Sequence, residues 1–288
     1  MKSAQNRSRN QLIVSMCIFA TIGIVRRFIP LSSSLVALVR GIIGGIFLLI
    51  VMLLSRKHLD REAIKKNFWL LILSGTAIGF NWILLFEAYN YTTVATATLC
   101  YYLAPILVVA FAPLVLKEKM TLRKLLCTIA ALFGMVLVSG VLDTGFHSVD
   151  ELKGILFGLG AAILYASVIL MNKKMAPIGA YDKTSIQLIV ASIALLPYVL
   201  ITEELSSLHL TPLSGLLLLI AGTVHTGWAY KLYFGSMDGL EAHTVALLSY
   251  IDPILAIVLS MVVLHEPMSW LSVIGAVLIL GAAYISEQ

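Results

Sequence analysis

The 288-residue chain predicts an all-α integral membrane protein, with ten transmembrane helices arranged as two five-helix repeats of inverted topology. Composition is the first reason: 60% of residues are hydrophobic, 12% are charged and mean hydropathy is +0.97, which leaves too few polar groups to clothe a water-soluble surface. Second, the chain divides into ten apolar windows of the roughly 20 residues that cross a hydrocarbon core. Third, Tyr102-Leu103-Ala104-Pro105-Ile106-Leu107 returns 148 residues later as Tyr250-Ile251-Asp252-Pro253-Ile254-Leu255. From Tyr102 to Met120 against Tyr250 to Met268, eight of 19 positions are identical, where apolar composition alone would give about two or three. Ten-residue segments of alternating polarity are absent, so a helical bundle is expected rather than a transmembrane barrel.

The elements follow in order. A tail over residues 1–10 carries Lys2, Arg7 and Arg9 and leads into the first span, 12–29. It has the look of a secretory signal, but no small-residue cleavage pattern follows and nine more spans do, so it reads as retained. The second span, 33–54, holds Arg40; the third, 67–89, holds Trp82 and Glu87; the fourth, 93–116, holds Tyr101, Tyr102 and Pro105; the fifth, 122–142, completes a first repeat over 11–143. A linker over 144–152 leads to a second repeat over 153–288, with spans at 152–175, 181–202, 211–232, 243–264 and 269–286. Gly75-Thr76 matches Gly222-Thr223, and Arg26-Arg27 before Pro30 matches Lys173-Lys174 before Pro177, both at a shift of 147. A five-helix unit is odd-numbered, so the second must enter from the opposite face. In such folds the binding site lies near the midplane where the units meet.

Lysine and arginine fix the orientation, because cytoplasmic loops retain positive charge. They gather in the tail, in the second loop (Arg56, Lys57, Arg61, Lys65, Lys66), in the fourth (Lys117, Lys119, Arg123, Lys124) and in the sixth (Lys173, Lys174, Lys183), with Lys231 closing the eighth span. The other side holds Arg26, Arg27 and Lys153 against acids such as Asp143, Asp150, Glu151, Glu203 and Glu204. Both termini are therefore expected in the cytoplasm, and the net charge of +5 is topology rather than a nucleic-acid footprint. The bilayer is the partner that this charge pattern implies. Cys17, Cys100 and Cys127 fall in apolar spans without a repeating spacing, which indicates packing residues and neither disulfides nor a metal site.

Candidate functional residues are those that cost the membrane something. A proline inside a helix frees the carbonyl four residues earlier, so Pro105 exposes Tyr101 and Pro253 exposes Ser249, at matching positions of the two repeats. A broken ladder at that depth is tolerated against protein or a wet cavity. Arg40 and Asp252 stand closest to mid-depth, where a charge costs about 2.5 to 3.5 kcal/mol on insertion scales. They read either as a zwitterion site, with Asp252 for an amine or proton and Arg40 for a carboxylate, or as an interhelical ion pair. Gln187 occupies the position matching Arg40. Glu87 is expected within reach of Arg26 and Arg27 as an outer-gate ion pair, with snorkelling as the alternative. His225, Trp228 and Lys231 recur every three residues and would share one face about 120° wide; His225 is the candidate for proton coupling, or a buried ring satisfied by a hydroxyl. Tyr101, Tyr102, Tyr250, Trp82 and Trp228 are candidates for an aromatic wall. Glu118 and Glu266 precede Thr121 and Ser269 and read as turn closures. Gly41 with Gly45 and Gly154 with Gly158 read as close-packing pairs.

The ordered set Asn81-Trp82, Leu85-Phe86-Glu87-Ala88-Tyr89, Tyr101-Tyr102-Leu103-Ala104-Pro105 and Lys117-Glu118-Lys119-Met120-Thr121 resembles the drug/metabolite transporter superfamily, EamA type. The second half agrees through His225-Thr226-Gly227, Leu232-Tyr233-Phe234, Ser249-Tyr250-Ile251-Asp252-Pro253 and Leu264-His265-Glu266, so the resemblance covers about 11–286. It implies a bacterial inner-membrane carrier, usually an exporter of amino acids or related metabolites, with the fifth and tenth spans at the periphery.

An enzyme is disfavoured: no metal-ligand spacing, no Ser/His/Asp set at common depth and no phosphate-cradling glycine loop is present in the sequence. A channel would need a continuous polar file, where this chain offers isolated polar residues between apolar blocks. The expected function is export of a small amino-acid-like metabolite by alternating access, without a cofactor, in a monomer or weak homodimer. The alternative is a carrier of organic cations held by aromatic and acidic residues.

Overall fold

The computed structural model describes residues 2–56, 59–116, 121–138, 149–204, 210–237, 248, 251–266 and 268–287, and the described residues are helical throughout with no strand among them. The chain opens with α1 (Lys2–Ala20), which continues after Thr21 as α2 (Ile22–Arg27); α3 (Ser33–Leu54), α4 (Arg61–Lys66) and α5 (Phe68–Tyr91) follow. The fourth predicted span is split into α6 (Val94–Tyr101) and α7 (Ala104–Leu116), and α8 (Leu122–Val138) ends the first half. The second half contains α9 (Val149–Lys174), α10 (Ala180–Thr202), α11 (Pro212–Ile220), a π-helical segment Ala221–Trp228, α12 (Ala229–Met237), α13 (Ile251–Val263) and α14 (Trp270–Glu287).

Local chemistry starts several of these helices. Ser32 accepts from the Leu35 amide ahead of α3, Thr93 from the Thr96 amide ahead of α6, and Asp60 from the Ala63 amide ahead of α4. Thr211 and Ser214 form a reciprocal capping box, and Pro212 supplies a first helical residue whose missing N–H is no loss there.

Six helical stretches among the described residues are long and apolar enough to cross a bilayer: Asn6–Arg27, Ser33–Leu54, Phe68–Tyr91, Val149–Lys174, Tyr181–Thr202 and Pro212–Tyr233. Four shorter apolar helices accompany them, Val94–Val108, Leu125–Gly134, Ile251–Val263 and Trp270–Ala282. The protein is thus a multi-pass membrane protein. Of the predicted ninth span, 243–264, the described residues are 248 and 251–264.

Packing runs between the halves. Helix α5 lies against α9 and α10, α3 against α10 and the π segment, α1 against α12 and α13, and α8 against α14. The predicted small-residue pairs face these contacts: a Cβ at Gly154 would meet Thr92 at 2.8 Å, at Gly158 would meet Cys100 at 2.7 Å, and at Gly41 would meet the Ser192 hydroxyl at 2.8 Å. One apolar cluster joins Val36, Trp82, Phe86, Ala161 and Leu195 around α3, α5, α9 and α10, and a second joins Leu99, Leu103, Ala131, Ala162 and Ile279. The three cysteines are free, with Cys100 and Cys127 buried as packing residues.

Loop ends meet on two levels. Asn67, just before α5, donates to the Ala176 carbonyl at 3.2 Å and accepts from the Ala176 amide at 2.8 Å. Elsewhere Arg27 pairs with Glu266 at 3.0 Å, and the Ser34 hydroxyl donates to Glu203.

Candidate functional site

The site begins with missing side chains. A Cβ at Gly222 in the π segment would lie 2.4 Å from the Ile43 Cβ, and one at Gly44 would lie 2.5 Å from the Thr226 Cγ2. Backbones can approach so closely only where those positions are glycine. The approach sets Thr226 beside Arg40, whose Nε donates to the Thr226 hydroxyl at 3.0 Å. Thr226 in turn donates to the Ala221 carbonyl at 2.9 Å, five residues back, a reach that the wider π turn provides.

The rest of the Arg40 guanidinium rests on rings. Its central carbon stands 4.4 Å from the centre of the Trp82 ring and 5.2 Å from that of Phe86, and the residue is 5% exposed. Ring faces attract a desolvated cation, but they do not neutralise it. Among the described residues no carboxylate lies within ion-pair distance of Arg40. A buried charge without a counter-charge is costly.

The opposite charge is held separately. Asp252 occupies the first turn of α13, where a carboxylate suits the positive end of the helix dipole, and the Tyr102 hydroxyl donates to it. Tyr102 sits in the two-residue break between α6 and α7, the break that Pro105 foretells. The Tyr101 ring meets Tyr102 edge-on at 6.0 Å and stacks on Tyr165 at 5.2 Å. Tyr101 also packs against the cluster that contains Trp82 and Phe86. Arg40 thus rests on Trp82 and Phe86 and Asp252 on Tyr102, and among the described residues no ion pair joins the two.

The other expected residues are distributed more widely. Buried His225 bonds the Thr21 hydroxyl through Nε2 at 2.8 Å, joining the π segment to the α1–α2 junction. Trp228 does not join the aromatic wall: it is 42% exposed and lies under the Lys231 ammonium at 4.6 Å. The π segment explains the departure, because its wider turn needs more residues per revolution and the three-residue step from His225 to Trp228 no longer keeps one face, while Trp228 and Lys231 beyond it still meet. Ser249 and Tyr250 lie outside the described residues, so the carbonyl expected to be freed by Pro253 does too; Pro253 itself is buried in the first turn of α13. Glu118 also falls outside them.

The outer ion pair has a different acid from the one expected. Arg27 meets Glu266, not Glu87, and also donates to the Thr92 carbonyl at 2.8 Å. Glu266 accepts from the Val94 amide at 2.8 Å and from the Ser260 hydroxyl, so besides its place in the turn before Ser269, which accepts from the Ser272 amide at 3.1 Å, it ties α2, α6 and α13 together. His265, at φ 53°, makes the left-handed turn that sends Glu266 back across the bundle. Arg26 is buried on neutral acceptors, the Ile29 carbonyl at 2.9 Å, Ser33 at 3.1 Å and Asn90 at 3.3 Å; Glu87 accepts from Asn90 at 3.4 Å. Asn90 therefore stands between the residues expected to pair. Gln187, the counterpart of Arg40 by sequence position, is bound to Ser74 at 2.7 Å and Asn172 at 2.8 Å.

Sequence reasoning missed Thr21, Thr226 and Tyr165. Threonine and tyrosine are ordinary in apolar helices, and only the spatial pairing sets these three apart. Glu266 carried a signal, its recurrence after each proline motif, that pointed to a turn rather than to Arg27.

A model of the family described as EamA-like transporter family matches residues 11–140 and 152–287. A Bacillus subtilis protein that bears the name uncharacterized transporter YxxF is 28% identical over 254 residues, covering 88% of this chain and 80% of that protein. Protein PecM of Dickeya dadantii is 26% identical over 279 residues, covering 94% and 89%. The uncharacterized transporter YwfM of Bacillus subtilis is 28% identical over 283 residues, covering 96% and 92%. A solved crystal structure 18% identical in sequence superposes with a TM-score of 0.69 over 97% of this chain and 96% of that one, which shows a shared fold.

Proposed function

This chain belongs to the EamA-like transporter family, and from that premise we propose that it exports a small amino-acid-like metabolite across the bacterial plasma membrane by alternating access. The observation that carries the proposal is the separation of charge: Arg40 buried on Trp82, Phe86 and Thr226, Asp252 held by Tyr102, and no bond between the two. A zwitterion matches that pattern, its carboxylate meeting Arg40, its ammonium meeting Asp252 and its side chain lying along the rings of Tyr101, Tyr102 and Tyr165. Differential binding of this kind lets a solute bias an equilibrium between two conformations.

Alternating access by two inverted units is supported by how the contacts pair, and cytoplasmic termini by the distribution of lysine and arginine. In an inverted repeat the first span on the eighth should be mirrored by the sixth on the third, and both α1 on α12 and α9 on α5 are in place. The second span on the eighth should be mirrored by the seventh on the third, and α3 on the π segment and α10 on α5 fit that exchange. The Arg27–Glu266 pair is the gate on the face expected to be extracytoplasmic. The His225–Thr21 bond is the element through which a proton would couple to transport, since either ring nitrogen can carry it.

An organic cation is the second reading, favoured by the stacked Tyr101 and Tyr165 rings near Asp252. Proteoliposomes separate the two. Amino-acid flux that saturates, shows counterflow and is lost in both Arg40→Gln and Asp252→Asn supports the zwitterion. Flux of a quaternary amine that survives Arg40→Gln supports the cation. Wild-type amino-acid flux in both variants would remove the two residues from the site.

A further inference from the structure

A cavity lies away from the Arg40 site. It has a volume of about 640 Å³ and opens between the start of α1 and the junction of the π segment with α12, lined by Asn6, Arg7, Asn10, Gln11 and Val14 on one side and Trp228 and Leu232 on the other. The seam between these helices has an inner side marked by the Phe19 ring, 5.4 Å from Tyr230 and 6.2 Å from Tyr233. At about 100° per residue, Val14 lies about 140° around α1 from Phe19, and Trp228 about 160° around its helix from Tyr230. The cavity therefore opens on the bilayer side of the seam, where Val14 and Trp228 are exposed.

Its lining is graded. Asn6, Arg7, Asn10 and Gln11 occupy the outer part of the helix and Val14 lies eight residues beyond Asn6, about 12 Å along the axis, a span comparable with the step from headgroups into acyl chains. Arg7 is the cation of the lining, the Lys231 ammonium stands 4.6 Å from the ring of Trp228 in that lining, and among the described residues no acid lines the cavity. A soluble solute would need polar groups at the deep end; a phospholipid needs the order seen here. We propose that this seam binds one anionic phospholipid, its phosphate between Arg7 and Lys231, its headgroup hydroxyls on Asn6 and Asn10, and its first methylenes against Val14, Trp228 and Leu232. Basic pockets between membrane helices suit such headgroups, and the proposal stands whatever solute the protein carries.

The test uses the full-length protein in detergent, with phosphatidylglycerol or phosphatidylcholine added as mixed micelles. Phosphatidylglycerol should raise the melting temperature of the wild type and survive as a bound adduct in native mass spectrometry, while phosphatidylcholine should do neither. Arg7→Gln with Lys231→Gln should retain at least threefold less lipid and lose most of the shift; if that pair fails to fold, each single variant is measured. Arg61→Gln with Lys65→Gln, on exposed α4, should behave as wild type. Equal retention in the Arg7/Lys231 variants, equal loss in the α4 control, or the same shift from soluble glycerol 1-phosphate would each overturn the proposal.

Discussion

Arg40 shows how one side chain concentrates the chemistry of the bundle. Its planar fork spans a hydroxyl and two rings, a geometry that the rounder ammonium of lysine cannot reproduce. Arg40→Lys should keep the charge and the fold yet lower solute counterflow at least tenfold in proteoliposomes. Thr226→Val removes the hydroxyl that Arg40 uses and leaves a buried donor unsatisfied, so thermal unfolding should report a loss of about 1 to 3 kcal/mol. Arg40 and Asp252 were legible in the sequence because a charge within an apolar window is conspicuous. Thr226 and Thr21 were not, because their importance arises from partners 186 and 204 residues away.

Helices reveal their extent through hydropathy and their interruptions only in part. The split between α6 and α7 was announced by Pro105, whereas the π segment has no such marker: Ala221 to Trp228 reads as an ordinary helical stretch. What demands it is the fit of Gly222 and Gly227 against Ile43 and Phe47, a tertiary condition. Gly222→Ala should therefore cost about 1 to 3 kcal/mol through overpacking. Gly215, in α11, has open space where a methyl would stand, with no neighbouring atom within 4 Å, so Gly215→Ala should instead gain up to about 1 kcal/mol of helix propensity. Melting temperatures of the two purified variants moving in opposite directions would bear out both assignments; a shared sign would refute one of them.

At the scale of the molecule, the duplication told how the halves would be ordered but not which residues would clasp them. Glu87 lay on the expected side for Arg27, yet the acid that arrives is Glu266, because the chain reverses at His265. A sequence places residues along an axis; the turn decides what crosses it. In a background without native cysteines, Glu266→Gln should speed modification of a cysteine at Thr98 by an impermeant thiol reagent added outside, whereas an unchanged rate would deny the clasp a gating role. Labelling should also find residues 1 and 150 on opposite sides of the bilayer, and a common side would end the inverted arrangement.

The π segment carries a liability that ordinary helices lack. Deleting one residue between Ala221 and Trp228 and closing the stretch as regular α-helix would leave the helix beyond it near its present azimuth, because the wider turn already holds one residue more than an α turn needs. Tyr230 would stay beside Phe19, but Thr226 would lose its five-residue reach to Ala221 and with it the seat it gives Arg40. A relative one residue shorter in this stretch would keep its outer faces and surrender the cradle of its buried cation.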